Sequence, residues 1–167
     1  GSPKPEKLND YELGWRHVSE KVKWNTNMYY MGYKDQLVLT GELDDVGNPI
    51  RANVGKSYRL GSEVEAVYYV AKELTMQING ALSSNIIQDG NSFSGKQIAY
   101  SPSFVSSGIL TFKPYENIQV SWLQKYVGEQ YLSNDESAES RLSSYFINDL
   151  NATYEIKTNS IFKSITI

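Results

Sequence analysis

The chain has 167 residues, 40% of them hydrophobic, with a net charge of −3 and no cysteine. That length builds one ordinary domain with its own apolar interior. The missing cysteine excludes disulfide frameworks and thiolate metal sites, and the mildly acidic balance excludes a basic nucleic-acid surface. No segment has the roughly 18 uninterrupted apolar residues of a transmembrane helix, although barrel strands alternate and escape that criterion.

In "DYELGWR", Tyr11, Leu13 and Trp15 share one parity and Glu12 and Arg16 the other. This is the alternation of a strand with one apolar and one polar face. After the short break "SEK", Val22, Trp24, Thr26, Met28 and Tyr30 alternate with Lys23, Asn25, Asn27 and Tyr29. The pattern frays through "YMGYKDQLVLTGEL" and gives way to "DDVGNPIRANVGK", whose Asp, Gly, Asn and Pro predict a loop.

Residues 57–85, "SYRLGSEVEAVYYVAKELTMQINGALSSN", read as a hairpin. Tyr58, Leu60, Val64, Ala66, Tyr68 and Val70 oppose Arg59, Glu63 and Glu65; beyond the break "AKEL", Leu74, Met76, Ile78, Gly80 and Leu82 oppose Thr75, Gln77, Asn79 and Ser83. Its Glu, Ala and Lys favour helix, but the period of 2 and the Val and Tyr content favour strand. Parity alone leaves open whether the apolar face meets a protein core or lipid.

A polar loop, "QDGNSFSGKQIAYSPS", follows. Phe104, Leu110 and Phe112 then share a parity with Ser106 and Gly108, the turn "PYEN" intervenes, and Ile118, Val120 and Trp122 oppose Gln119, Ser121 and Lys125. The loop "LSNDESAESR" leads to "YFINDLNATYEI", with Phe146, Leu150, Ala152 and Tyr154 on one face, and "KTNS" turns into "IFKSITI". The fold class read from this pattern is all-β, an antiparallel up-and-down meander of about eight strands with no helix.

Connections near residues 20, 73, 116 and 158 read as short turns, and those near 45, 95 and 136 as long polar loops. Strict alternation of short and long connections is the habit of outer-membrane barrels, with short periplasmic turns and long extracellular loops. The thirteen Tyr, three Trp and five Phe suit interfacial aromatic girdles, and equally a Tyr-rich sandwich surface. The first connection is short, which would start strand one at the extracellular end. That phase points to a piece of a larger barrel rather than a closed eight-stranded one.

The segments "KPEKLNDYELGWR", "NMYYMGYKDQLVLTGELDDVGNPIRANVGKSYRLGSEVEA" and "YVGEQYLSNDESAESRLSSYFINDLNATYEI" closely resemble TonB-dependent outer-membrane receptors across nearly the whole chain. The resemblance implies a 22-stranded transmembrane β-barrel plugged by an N-terminal domain. Residues 1–167 would be a C-terminal fragment of the single barrel domain, without the plug domain, the signal peptide or the last barrel strands. It implies active transport of a nutrient chelate, iron–siderophore first, with cobalamin, another metal chelate or an oligosaccharide behind. Partners would be that chelate, TonB, the plug and outer-membrane lipid, with no nucleic acid.

The chemistry of the side chains agrees with a non-enzymatic role. His17 is the sole histidine, too little for a nucleophilic triad or a histidine metal site, and it reads as an exposed residue beside a short turn. No catalytic residue, metal site or cofactor is expected. Asp44, Asp45 and Asn48 could offer oxygens to calcium but lack EF-hand spacing, so a solvated turn is the simpler reading. The sequon "NAT" at 151–153 falls mid-strand. Arg59, Glu63 and Glu65, with Lys23, Gln77, Lys113, Gln119 and Lys125, would face a polar lumen. Ligand capture is expected in the outer loops 40–56, 88–102 and 132–141, because loops on a rigid scaffold commonly carry binding. The alternative is a soluble all-β carbohydrate- or ligand-binding module, whose apolar parity would be packed in a core.

Overall fold

The computed structural model describes residues 3–157 and 164–166. Ten strands form: β1 (Lys7–Val18), β2 (Val22–Leu43), β3 (Pro49–Tyr69), β4 (Leu74–Asp89), β5 (Phe104–Tyr115), β6 (Ile118–Val127), β7 (Gln130–Tyr131), β8 (Arg141–Leu142), β9 (Tyr145–Lys157) and β10 (Ser164–Thr166). Eight of them make one sheet in the order β1-β2-β3-β4-β5-β6-β9-β10, and β7 and β8 pair separately. Each neighbour is antiparallel, so the sheet is an up-and-down meander. No α-helix occurs among the described residues, only two 3-10 turns at Asn91–Phe93 and Ala138–Ser140. The expected turn "KTNS" and most of "IFKSITI" lie outside the described residues.

The register joins the parities read strand by strand into two faces. Leu13 pairs with Met28, Tyr30 with Leu60, Val64 with Gly80, Met76 with Leu110, Leu110 with Trp122, and Trp122 with Leu150. Directly opposed residues share a face, so one apolar surface runs unbroken from β1 to β9. It is uncovered: Leu150 is 75% exposed, Leu13 72% and Trp15 70%. A sandwich would bury these side chains under a second sheet. Among the described residues nothing covers them, so the soluble-module alternative is not favoured.

Aromatics frame this face. At the short-turn end Trp15 and Trp24 lie 5.8 Å apart and His17 stacks on Trp24; at the other end Tyr30 stacks on Tyr58. From Tyr58 to Tyr68 along β3 is about 33 Å of strand, or about 23 Å of height at a tilt of ~45°. That matches the roughly 25 Å apolar band of a membrane barrel between its aromatic girdles.

The polar face carries Lys23, Arg59, Glu63, Glu65, Gln77 and Lys125 in register across β2 to β6, with Gln119 opposite Thr153 of β9. Lys113 follows Phe112, where the pairing of β5 with β6 shifts register. Two opposed apolar pairs, Ile109 with Leu123 and Val105 with Val127, share this face, so the inner wall of β5 and β6 is mixed. The ring of Tyr29 lies over Gly61, where a Cβ would come within 2.5 Å of the ring. Glycine there lets the aromatic ring cross the sheet closely.

One expectation changes at the long-connection end. The region 44–56 is not a loop: β2 and β3 run 22 and 21 residues and meet at the short connection 44–48. Gly, Asn and Pro in "VGNPIRANVGK" weakened the strand pattern, yet the two strands pair through Leu39–Arg51 and again at Leu43–Pro49. The frayed alternation has a local cause. Asp35 takes φ +57, and beyond it the even positions turn inward. Gln36 accepts a 2.5 Å hydrogen bond from Ser57 Oγ, and Val38 and Val54 pack with Ile87. The small buried cluster of Val38, Val54, Ile87 and Ile98, with Phe93 against it, thus sits at the long-connection end of the polar face.

Candidate functional site

The outer connections do not splay into solvent but interlock. Residues 96–98 run beside β4: the Ile87 amide donates to Lys96 and the Ile98 amide to Asn85, both at 2.9 Å. The loop between β6 and β9 then folds across this segment. Lys96 Nζ donates to the Asp135 carbonyl, and the Gln97 amide donates to Glu136 Oε1 at 2.5 Å. Asn134 is fully buried; its oxygen accepts the Ala99 amide at 2.6 Å and its NH2 donates to the Leu39 carbonyl. One side chain therefore ties two of the expected ligand regions, 88–102 and 132–141, to Leu39 of β2, next to the third, 40–56.

Asp135 organises the turn beside it. The Ser133 hydroxyl, the Ser137 amide and the Ser140 hydroxyl donate to its carboxylate. These bonds, the one from Ser133 above all, hold its pKa at about 2, because donors aimed at a carboxylate favour the charged form. Arg141 closes the same loop on Glu129, and that hydrogen bond raises the guanidinium pKa.

A polar network lines the inner wall below. Arg59 Nη1 donates to Ser101 Oγ at 3.0 Å and to Asn85 Oδ1 at 3.4 Å. Asn85 donates to Ser83 Oγ at 2.8 Å, and the Gln97 side chain donates to the Ser101 carbonyl. Among the described residues no buried side-chain nitrogen or oxygen lacks a partner. Above this network opens a cleft of about 190 Å³ lined by Arg51, Arg59, Gln36, Leu39 and Asn134. The ion pairs among the described residues are Lys4–Asp35 and Arg141–Glu129. Neither Arg51 nor Arg59 takes part in one. At about 190 Å³ the cleft is smaller than the roughly 300 Å³ from which sites that enclose small ligands run.

The sequence model of the family described as "TonB dependent receptor-like, beta-barrel" matches residues 2–167. The chain belongs to this family. Members of the TonB-dependent receptor family are outer-membrane β-barrel proteins of Gram-negative bacteria. A pesticin receptor of Yersinia enterocolitica is 29% identical over 100 residues, covering 59% of this chain and 14% of the receptor. The ferric yersiniabactin uptake receptor of Yersinia pestis superposes with a TM-score of 0.73 at 22% identity, over 89% of this chain and 22% of that one. The unliganded ferric citrate transporter superposes at 0.76 and 17% identity, over 93% of this chain and 24% of that one. These likenesses establish the fold. By name the proteins are receptors and transporters, not enzymes. The chain spans about a seventh to a quarter of their lengths.

The remaining sequence-level candidates fall as follows. Asp44 does not present a free carboxylate to calcium: its oxygens accept the Asn48 amide at 2.8 Å, the Asn48 side chain at 3.0 Å and the Val46 amide at 3.0 Å. These bonds, led by that from the Asn48 amide, lower its pKa. His17 is exposed at the short-turn end of β1, and Asn151 of the sequon lies mid-strand in β9. Asn134 is the Asn of "QYLSN" in the family resemblance, and no local pattern marks it as a residue that joins loops.

Proposed function

We propose that this chain is the C-terminal part of the barrel domain of a TonB-dependent uptake receptor in the outer membrane, importing an anionic nutrient chelate. Family membership and the uncovered apolar band support the membrane setting. The far greater length of the relatives supports reading residues 1–167 as one portion of a receptor whose plug, signal peptide and last strands belong elsewhere in the parent chain. The observation that carries the ligand reading is Arg59, held on the polar face by Ser101 and Asn85 and in no ion pair among the described residues.

A guanidinium suits carboxylate- or catecholate-rich metal complexes, because its planar fork matches such oxygens. A ferric siderophore is therefore the leading class; cobalamin, another metal chelate or an oligosaccharide follow. Energy for uptake would come through TonB acting on the plug. The test is uptake of labelled ferric chelates by cells carrying the parent receptor, with and without TonB. TonB-dependent uptake of an anionic chelate is expected; unchanged uptake of every candidate in the TonB deletion would sink the proposal.

A further inference from the structure

Three lysines occupy a single rung of the sheet. Lys7 of β1 lies directly opposite Lys34 of β2, and Lys34 directly opposite Lys56 of β3. All three are exposed and share the parity of Tyr11, Tyr30 and Tyr58, so they continue the outward face. Opposed residues hold their Cβ atoms about 5 Å apart, and like charges so placed destabilise a sheet. The nearby acids compensate only in part, three carboxylates against Lys4 and these three lysines. Asp35 is paired with Lys4 at 3.9 Å, Glu6 accepts the Leu37 amide, and Asp89, opposite Lys56, lies over Gly55. Among the described residues none of the three lysines has an acidic partner within ion-pair distance.

The height of the row identifies its counter-charge. It lies two residues beyond Tyr58 on β3, toward the long-connection end. Two residues are about 7 Å of strand and about 5 Å along the membrane normal at a tilt of ~45°. That is headgroup depth, just outside the tyrosine girdle, where lysine stems lie on apolar surface and ammonium groups reach the wet layer. Below the row, Leu13, Met28 and Leu60 are 72%, 58% and 50% exposed and offer a bed for acyl chains.

We infer that Lys7, Lys34 and Lys56 form a binding site for the phosphates of an outer-leaflet lipid headgroup, with the lipid's acyl chains on the Leu13, Met28 and Leu60 stripe. The bound anion cancels the repulsion along the rung. The inference rests on the outer-membrane reading of this face.

The test uses the full-length receptor containing this chain, in neutral detergent, with bis-phosphorylated lipid A, its dephosphorylated form and inorganic phosphate as probes. Native mass spectrometry should show lipid A retained, and K7Q/K34Q/K56Q should cut retention at least about tenfold, since each lysine near an anionic surface contributes measurably. Lys72→Gln, at a short turn, should leave retention unchanged. Equal retention of dephosphorylated lipid A, or no loss in the triple variant, overturns the site. Inorganic phosphate held as firmly as lipid A overturns the lipid as its source.

Thermal unfolding gives an independent readout. Lys34→Gln should raise the melting temperature in lipid-free detergent and lower it with lipid A; a shift of the same sign in both conditions overturns the inference. A receptor that fails to insert into vesicles would instead overturn the outer-membrane reading. Normal insertion with unchanged lipid A retention by the triple variant overturns the lysine site alone.

Discussion

The Ala99 amide donates a 2.6 Å hydrogen bond to the side-chain oxygen of Asn134, 35 residues away in sequence. The other end of the same side chain holds the Leu39 carbonyl, so one amide group bridges a hairpin arm and two outer loops. Amide NH2 and carbonyl act here as donor and acceptor at once, which neither Asp nor Leu of similar size reproduces.

Asn134→Ala should leave the Ala99 amide and the Leu39 carbonyl buried without partners, at a cost of about 2–4 kcal/mol. The cost is local, because the meander below keeps its ladders. Hydrogen exchange of the parent receptor should speed up in 96–101 and 130–142 while β3 and β4 stay protected. Uniform exchange rates in variant and wild type would contradict the bridge.

Arg59→Ala should weaken binding of an anionic ferric chelate by about 10- to 100-fold, the range of a charged hydrogen bond. Arg59→Lys should recover part of that loss, since lysine keeps the charge but not the fork. Ser101→Ala separates the two roles of Arg59, because it removes only the anchor at 3.0 Å. Titration of the purified receptor with chelate measures each, and a wild-type dissociation constant for Arg59→Ala would remove this residue from the site.

Val64 and Glu63 are neighbours on opposite faces of β3, midway between Tyr58 and Tyr68. Val64→Arg should destabilise the receptor in vesicles by about 2–4 kcal/mol, the cost of an arginine on the lipid face at the midplane. Glu63→Gln on the polar face should change stability far less. Denaturant unfolding in lipid vesicles compares the two, and equal costs would contradict the assignment of faces.

Acid should loosen the 130–142 loop in one direction only. The folded carboxyl of Asp135 titrates at about 2 against an ordinary 3.8. Its bonds therefore contribute fully above about 3.8, and that contribution fades as pH falls toward 2. Pepsin cleavage within the loop should accelerate between pH 4 and pH 2 beyond the enzyme's own pH dependence on an unstructured peptide. Asp135→Asn should be cleaved quickly at pH 4 already.

Much of the scaffold was legible because a strand's side chains alternate with period 2, so each local run carries its own facing. Tyr58, Leu60 and Val64 against Arg59, Glu63 and Glu65 needed no partner strand to be sorted. The short turns at "SEK" and "PYEN" were equally plain, since Gly, Pro, Asn and charged residues interrupt apolar alternation wherever the chain reverses. The mouth was harder to read. Residues 49–56 look like a loop by composition, yet β2 and β3 hold each other extended there, and Asp35 at φ +57 reverses the parity that a reader would extrapolate.

Sequence by itself therefore determined the meander and, away from the mouth, the strands and their two faces, because those follow from neighbours in the chain. Only the tertiary structure decided which strands stand in register and which loops touch. Asn134 reaches Leu39 across 95 positions, and Lys7, Lys34 and Lys56 share a rung although they are scattered along the chain. Such pairings depend on the summed lengths of strands and turns, so a single-residue slip would separate them, and no local pattern encodes that sum.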